Sequence, residues 1–377
     1  FDGDRFAVVA AVTLTSETIR TRLDRLTSLL DEQSSADALL LSDLTNVRWL
    51  TGLSSSNAAA VVMPRGLVVV TDSRYEAQAA ASAAHKDVVV GRAVVATALE
   101  IAAADGITRL AVESESLSVA EFERLAAVAA THGIALVECA GWVESLRASK
   151  DAAEVAALSL ACKASVTALA QLVDEVRIGM TEVAVARRLE ALFAEFGGED
   201  RAFASIVAAG PHSAIPHHEP TTRPLQFGDI LKIDFGARVE GYHADCTRTF
   251  IVGAEPTELQ VEIHTVVAEA ATAARGALEP GIDIGAVDHA AREVLCAAGY
   301  EDRFTHGLGH GVGLAIHEAP IIAKGAAGTI PNGAVVTIEP GVYLPGVFGV
   351  RIEDTCHVTT AGVKILTDFP RELARIA

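Results

Sequence analysis

The sequence predicts an α/β domain over residues 1–145 followed by an α+β domain over residues 146–377. Three observations carry this expectation. Short apolar runs alternate with Ala-rich helical stretches through the first region, the pattern of a sheet interleaved with helices. After residue 200 the texture changes to strands rich in Val, Ile and Thr that also hold most of the unusual polar residues. Between the two, Gly141-Trp142-Val143-Glu144-Ser145-Leu146-Arg147 reads as a crossover, and Asp151 with Glu154 has capping-box spacing for a new helix.

In chain order, Ile19, Leu23, Leu26, Leu29 and Leu30 recur at helical spacing. Ala38 to Leu41 is a short apolar strand. Ala58 to Met63 and Leu67 to Thr71 flank Pro64-Arg65-Gly66, a hairpin signal. Val88 to Val90 and Leu110 to Val112 read as further strands, with helices near 95–104 and 119–132. A long Ala-rich helix runs from Asp151 to about Val176, where Gly179 breaks the pattern. Thr181 caps the next helix, which stops at Gly197-Gly198. Strands follow at 229–235, 243–252, 334–339 and 349–359, with helices near 256–277 and 284–298. The order helix, then strand occurs twice, over 151–252 and 256–359, compatible with a duplication.

Composition narrows the function. Forty-nine acidic against 30 basic residues give a formal charge of −19, which opposes binding to nucleic acid, and no basic stripe or juxtamembrane cluster compensates. Mean hydropathy is +0.34, yet no charge-free apolar run reaches the ~18 residues of a membrane span. The best candidate, Ala152 to Val173, contains Glu154 and Lys163. Asp2, Asp4 and Arg5 make the N-terminus a poor signal peptide. Cysteines 139, 162, 246, 296 and 356 form no CxxC pair, so a reducing, cytoplasmic setting is expected. No GxGxxG after the first strand and no GxxxxGK[ST] points to a nucleotide.

The chemistry concentrates at strand ends. Asp234 closes the apolar run Ile230-Leu231-Lys232-Ile233, and Asp245 follows eleven residues later in what reads as the second arm of a hairpin. Glu339 ends Val335-Val336-Thr337-Ile338. In Val350-Arg351-Ile352-Glu353-Asp354-Thr355, alternation puts Arg351, Glu353 and Thr355 on one face. Thr305-His306-Gly307-Leu308-Gly309-His310-Gly311 places His306 and His310 on one side if extended. Each piece alone has a plainer reading: a cap, a surface histidine, an ion pair, or loop polarity at His217-His218. Together, four carboxylates would repel one another. Two divalent cations would cancel their charge, and carboxylates with one imidazole suit Mn²⁺ or Co²⁺, with Zn²⁺ as an alternative. Such a pair, ~3.5–4 Å apart, shares a hydroxide and polarises a carbonyl.

These residues resemble the pita-bread metallopeptidases, the superfamily of prolidase, aminopeptidase P, methionine aminopeptidase and creatinase. The resemblance spans nearly the whole chain. It includes Leu39 to Gly52, Thr71-Asp72-Ser73-Arg74-Tyr75, Leu146 to Asp151, and the ordered ligand set Asp, Asp, His, Glu, Glu. It implies a creatinase-like N-terminal domain and a pita-bread catalytic domain. It implies that Asp234 holds one metal, that Asp245 and Glu353 bridge, and that His310 and Glu339 complete the other site. His217 would contact the scissile amide and help proton transfer, His317 would stabilise the oxyanion, and His306 would line the pocket. Glu339 would also accept a proton from the bridging water. Arg351, Tyr343 and Thr247 would orient the ligand carboxylates. The implied activity is cleavage of an Xaa-Pro bond at a peptide N-terminus, Mn²⁺ is the first choice of metal, and a homodimer is implied. The alternative is a metal-free pita-bread protein serving as a binding module or as a creatinase-like C–N hydrolase. Methionine aminopeptidases lack a comparable N-terminal domain, and creatinase-like members lack the full ligand set. One departure concerns specificity: dipeptide-specific relatives resemble His-Glu-x-Pro-Arg, whereas here Ile321 follows His317-Glu318-Ala319-Pro320. The other histidines, 85, 132, 243, 264, 289 and 357, read as surface or structural residues.

Overall fold

The computed structural model describes residues 14–82 and 86–377; the N-terminal residues Asp2, Asp4 and Arg5, and His85, lie outside the described residues. The chain divides into two compact units, residues 14–147 and Ala148–Ala377.

The first unit contains α1 (Ser16–Gln33), β1 (Ala38–Leu41), α2 (Leu44–Thr51), β2 (Ala58–Met63), β3 (Gly66–Thr71), α3 (Glu76–Ser82), β4 (Lys86–Val90), α4 (Val94–Ala104), β5 (Arg109–Glu113), α5 (Val119–Thr131), β6 (Ala135–Cys139) and α6 (Trp142–Arg147). Its six strands form one sheet in the order β4-β3-β2-β1-β5-β6. The β2–β3 hairpin turns where Pro64-Arg65-Gly66 predicts, and Gly66, at φ +130°, occupies backbone space that other residues avoid. β4, β5 and β6 run parallel to their neighbours, which requires crossover connections. The central strands are apolar on both faces because both faces are covered. Four elements of this unit escaped the sequence reading, among them α3 and α6, whose seven and six residues are too few for a period to show. α2 has only eight residues, too few for its period to show, and its clearest signal is the Asp43 cap. β6 is an edge strand with a half-exposed, mixed sequence. Where β5 ends, the buried Glu113 accepts hydrogen bonds from the backbone N–H of Ser42 and Asp43 and from Asn46 Nδ2.

The second unit contains α7 (Ala152–Glu175), α8 (Glu182–Glu195), β7 (Asp200–Arg201), β8 (Ile206–Ala209), β9 (Ile230–Phe235), β10 (Ala237–Val239), β11 (Tyr242–His243), β12 (Cys246–Val252), α9 (Glu258–Ala277), α10 (Ile284–Ala297), β13 (Gly309–Gly311), β14 (Glu318–Ile322), β15 (Ala334–Ile338), β16 (Gly341–Leu344), β17 (Phe348–Arg351), β18 (Asp354–Thr359), β19 (Gly362–Ile365) and β20 (Arg375–Ile376). One plan occurs twice. Residues of α7 and α8 bury Leu169, Leu189 and Phe193 with β8, β9 and β12, in the sheet β20-β12-β9-β8. Residues of α9 and α10 bury Ile263, Val267 and Leu295 with β15 and β18, in the sheet β14-β13-β15-β18-β19. α7 carries the capping box expected of Asp151 and Glu154. By length and composition α7 could cross a bilayer, although the sequence reading found no charge-free run of that length. Half of its most apolar window is buried, and Leu158, Cys162 and Leu169 pack into two protein cores.

Two strands expected to be continuous are broken. The 243–252 segment pauses at Ala244-Asp245 between β11 and β12, and the 349–359 segment pauses at Ile352-Glu353 between β17 and β18. The breaks arise because β17 pairs with β16 whereas β18 pairs with β15, so the chain changes sheets at Glu353. Alternation therefore does not set the direction of Glu353. Its N–H instead bonds to Thr247 O.

Candidate metal centre

Asp234 is the fifth residue of β9, Asp245 and Glu353 occupy the two strand breaks, His310 is the middle residue of β13, and Glu339 follows β15. β9 and β12 pair antiparallel with Asp234 opposite Thr247, which brings the end of one hairpin arm beside the start of the other. β13 and β15 are neighbours and carry His310 and Glu339 to the same end. Oxygen and nitrogen atoms of Asp245, His310 and Glu353 lie within 4.8 Å of one another. His310 Nε2 is 3.5 Å from Asp245 Oδ2 and 3.5 Å from Glu339 Oε1. These separations are long for hydrogen bonds and fit donors that share an ion with bonds of about 2.1 Å. The glycines flanking His310 permit the approach. A Cβ on Gly309 would lie 2.0 Å from Thr337 O, and one on Gly311 would lie 2.1 Å from Ala319 O.

A network behind the carboxylates fixes their directions. Arg351 is fully buried and spends its whole guanidinium there. Nη2 donates to Asp234 Oδ2, Nε to Thr247 Oγ1 at 3.0 Å, and Nη1 to Tyr343 Oη at 2.9 Å and to Pro216 O at 3.2 Å. Thr247 Oγ1 in turn donates to Glu353 Oε2 at 2.7 Å. One arginine thereby orients carboxylates from two sheets. Tyr343 touches Arg351 and donates to His306 Nε2 at 2.8 Å, while His306 Nδ1 bonds to Gly307 O. Thr355 Oγ1 donates to Asp245 O. Next to Glu353, the buried Asp354 receives Arg248, Arg275 and Arg371 at 2.8, 3.0 and 2.7 Å. Arg248 Nη1 also donates to Glu353 O.

The electrostatics and the donor set fit divalent cations. Burial and then Glu353, Asp234 and Glu339 push the Asp245 carboxyl well above its usual range. Burial and then Glu339 and Asp234 do the same to Glu353. Glu339 rises to about 8 through burial and the charge of Asp234, against the pull of Arg351. Asp234 Oδ1 is buried with no hydrogen-bond partner among the described residues. Buried anions that repel one another and an orphaned carboxylate oxygen are what a cation site leaves on the protein side. Burial lowers His310 to about 4, and its Nδ1 bonds to Gly311 O, which leaves Nε2 facing the carboxylates as a neutral donor.

Three further histidines surround this centre. His317 packs edge-on against His310 with ring centroids 4.4 Å apart. Its neighbour Glu318 is pinned by the buried Lys150 at 2.6 Å. His306 is lowered to about 3 by burial and by Arg351. His217 is exposed, and desolvation of its covered side together with Arg351 pulls it below its ordinary value, against Asp234.

Some participants gave little sequence signal. Lys232 is fully buried, and burial with nearby Arg351 drives its amine well below the usual range. Its Nζ donates to Ile215 O at 2.7 Å and to Pro216 O at 3.3 Å, just before His217. The one sequence clue was a lysine inside an apolar strand, two residues before Asp234 and hence on its face. Glu182, His212 and His218 form a second cluster. His218 is buried on Glu182 rather than forming part of a polar loop surface.

Comparison with known proteins shows what the chain is similar to. A family model described as metallopeptidase family M24 matches residues 156–360, and one described as the creatinase/prolidase N-terminal domain matches residues 22–149. An uncharacterised peptidase, YqhT, of Bacillus subtilis is 33% identical over 93% of this chain and 99% of its own length. The solved structure of a Xaa-Pro dipeptidase from Bacillus anthracis superposes with TM-score 0.90 at 31% identity, covering 95% of this chain and all of that one. That of a Thermotoga maritima X-Pro aminopeptidase superposes with TM-score 0.85 at 32% identity, covering 94% and 100%.

Proposed function

This chain belongs to metallopeptidase family M24, and from that membership we propose that it cleaves the Xaa-Pro bond at the N-terminus of dipeptides and short peptides with two divalent metal ions. The observation that carries the reading is the convergence of Asp245, His310, Glu353 and Glu339 around one point, with the orphaned oxygen of Asp234 beside them. In this reading Asp234, Asp245, His310, Glu339 and Glu353 would hold the ions. When bound, two such ions supply Lewis acidity toward a carbonyl and a water acidic enough to be a nucleophile near pH 7. Mn²⁺ is the proposed native metal, since hard oxygen donors outnumber the single nitrogen.

The side chains supply the rest. Glu339 takes the proton of the attacking water. His317 donates toward the oxyanion that develops on the scissile carbonyl. His217 stands by the scissile amide and passes a proton to the departing nitrogen. His306, held by Tyr343, walls the pocket. Proline makes this arrangement useful: its nitrogen has no N–H for a protease to grip, and neither metal chemistry nor a histidine donor needs one. The solved relatives named dipeptidase and aminopeptidase support Xaa-Pro substrates without deciding peptide length. Ile321 bears on that. It pairs opposite His310 across β13 and β14, on the same face, and is 53% exposed. An aliphatic side chain there offers no partner to a substrate carboxylate, which favours acceptance of peptides longer than two residues. A cytoplasmic homodimer completes the proposal.

The test combines metal and substrate. Exhaustive chelation should abolish cleavage of Xaa-Pro substrates, Mn²⁺ or Co²⁺ should restore it, and elemental analysis should find about two ions per chain. Cleavage that survives chelation sinks the proposal, and so does a preference for peptides lacking proline. Ile321→Arg should raise kcat/KM for Xaa-Pro dipeptides relative to Xaa-Pro-Yaa tripeptides.

A further inference from the structure

Glu182 occupies the first turn of α8, where an acidic residue usually serves only the helix dipole from the surface. Here its side chain is fully buried. Five donors surround it. Oε1 accepts from Ala209 N–H at 2.8 Å and His212 Nδ1 at 2.9 Å. Oε2 accepts from His218 Nε2 at 2.9 Å, Thr221 N–H at 3.0 Å and Thr221 Oγ1 at 2.7 Å. These donors lie at both ends of the segment that carries His217. Between those ends, Lys232 and Arg351 hold the carbonyls of Ile215 and Pro216. The exposed His217 therefore rises from an arc fastened on either side by a single carboxylate.

We propose that Glu182 is a positioning residue for the reaction: it clamps His212 and His218 and thereby sets the place of His217 over the scissile bond. This rests on the role given to His217 above. A metal site built from the same three residues is disfavoured by the count of partners. A carboxylate offers about four lone-pair directions, and three of the five donors here are backbone or hydroxyl groups that an ion would have to displace. Burial alone would raise the Glu182 carboxyl, yet the bonds from Thr221, His218 and Ala209 outweigh it and hold it at about 2, so it is ionised near neutral pH.

Glu182→Gln keeps the size but replaces one acceptor with a donor, and His218→Phe removes one arm of the clamp. In Mn²⁺-loaded protein each should lower kcat about 10- to 100-fold with KM nearly constant and metal content unchanged. In a His217→Ala background neither should lower kcat further, because the clamp acts through that ring. Equal losses in both backgrounds would mean a merely structural role and overturn the proposal. Hydrogen exchange supplies an arm independent of catalysis: protection should fall in residues 210–221 of both variants while β9 and β15 keep theirs. Unchanged protection overturns the clamp, as does a third metal ion per chain that disappears in Glu182→Gln. If wild-type protein cleaves no Xaa-Pro peptide, the peptidase reading fails by itself, and the exchange measurement still decides the clamp.

Discussion

At the scale of single residues, Arg351 has the widest reach. Its guanidinium meets Asp234 directly and Glu353 through Thr247, so two carboxylates from different sheets share one rigid donor fork. A point charge cannot do this. Arg351→Lys should therefore keep the net charge yet weaken Mn²⁺ binding about 10- to 100-fold, as measured by titration of apoprotein against a competing chelator; unchanged affinity would show the fork to be dispensable. By contrast, Glu353→Ala should lose bound metal outright, whereas His217→Ala should keep the metal and lose rate. Normal turnover by His217→Ala would remove that residue from the mechanism.

At the scale of elements, the site depends on strands ending where side chains need them. β13 is three residues long, and two of them are glycines because carbonyls of Thr337 and Ala319 press against them. Gly309→Ala should destabilise the fold by about 3 kcal/mol in denaturant melts and lower metal occupancy with it; a tolerated alanine would mean the neighbouring strand can yield. Much of this was legible in the sequence. Aspartate and glutamate after apolar runs are costly unless paired, which singled out Asp234 and Glu339; hairpin spacing from Asp234 singled out Asp245, and alternating glycines marked His310. Periodicity and caps also gave α7, α8, α9 and the β2–β3 hairpin. What stayed hidden was hidden for physical reasons. The direction of Glu353 follows from a change of sheet that no local pattern encodes. The partners of Glu182 lie 30 and 36 residues away in sequence, and its own position mimics an ordinary helix start. Lys232 bonds to main-chain carbonyls, which carry no residue identity.

At the scale of the whole molecule, residues 14–147 and Ala148–Ala377 each have their own cores, and the proposed metal ligands all belong to the second. Ligand binding stabilises only the unit that binds. In calorimetry, chelation should therefore lower the transition of the second unit and leave that of the first in place; a common shift would show the two to unfold as one. The first unit has its own pH signature. Burial raises Glu113 to about 7 from an ordinary 4.5, despite hydrogen bonds from Asp43, Ser42 and Asn46. The folded state then binds this proton more tightly than the unfolded state does. Stability should fall as pH rises from about 4.5 to 7, by at most about 3 kcal/mol, and level off above that. Glu113→Gln should flatten the slope in melts followed across this range.

Asp354 and its three arginines have a consequence for the life history of the protein. Three guanidiniums around one carboxylate leave two positive charges in excess, placed directly behind Glu353. Of the three, Arg248 also donates to the Glu353 carbonyl and feels its carboxylate, so a fixed cation of the polypeptide stands beside the acidic cradle. On the proposed reading the chain should fold before it acquires its ions, unlike small modules that stay unfolded until they meet their metal; native-like circular dichroism of the chelated protein checks this. On the same reading, replacing one ion by another would require no unfolding, and the metal supplied would decide which one the chain carries.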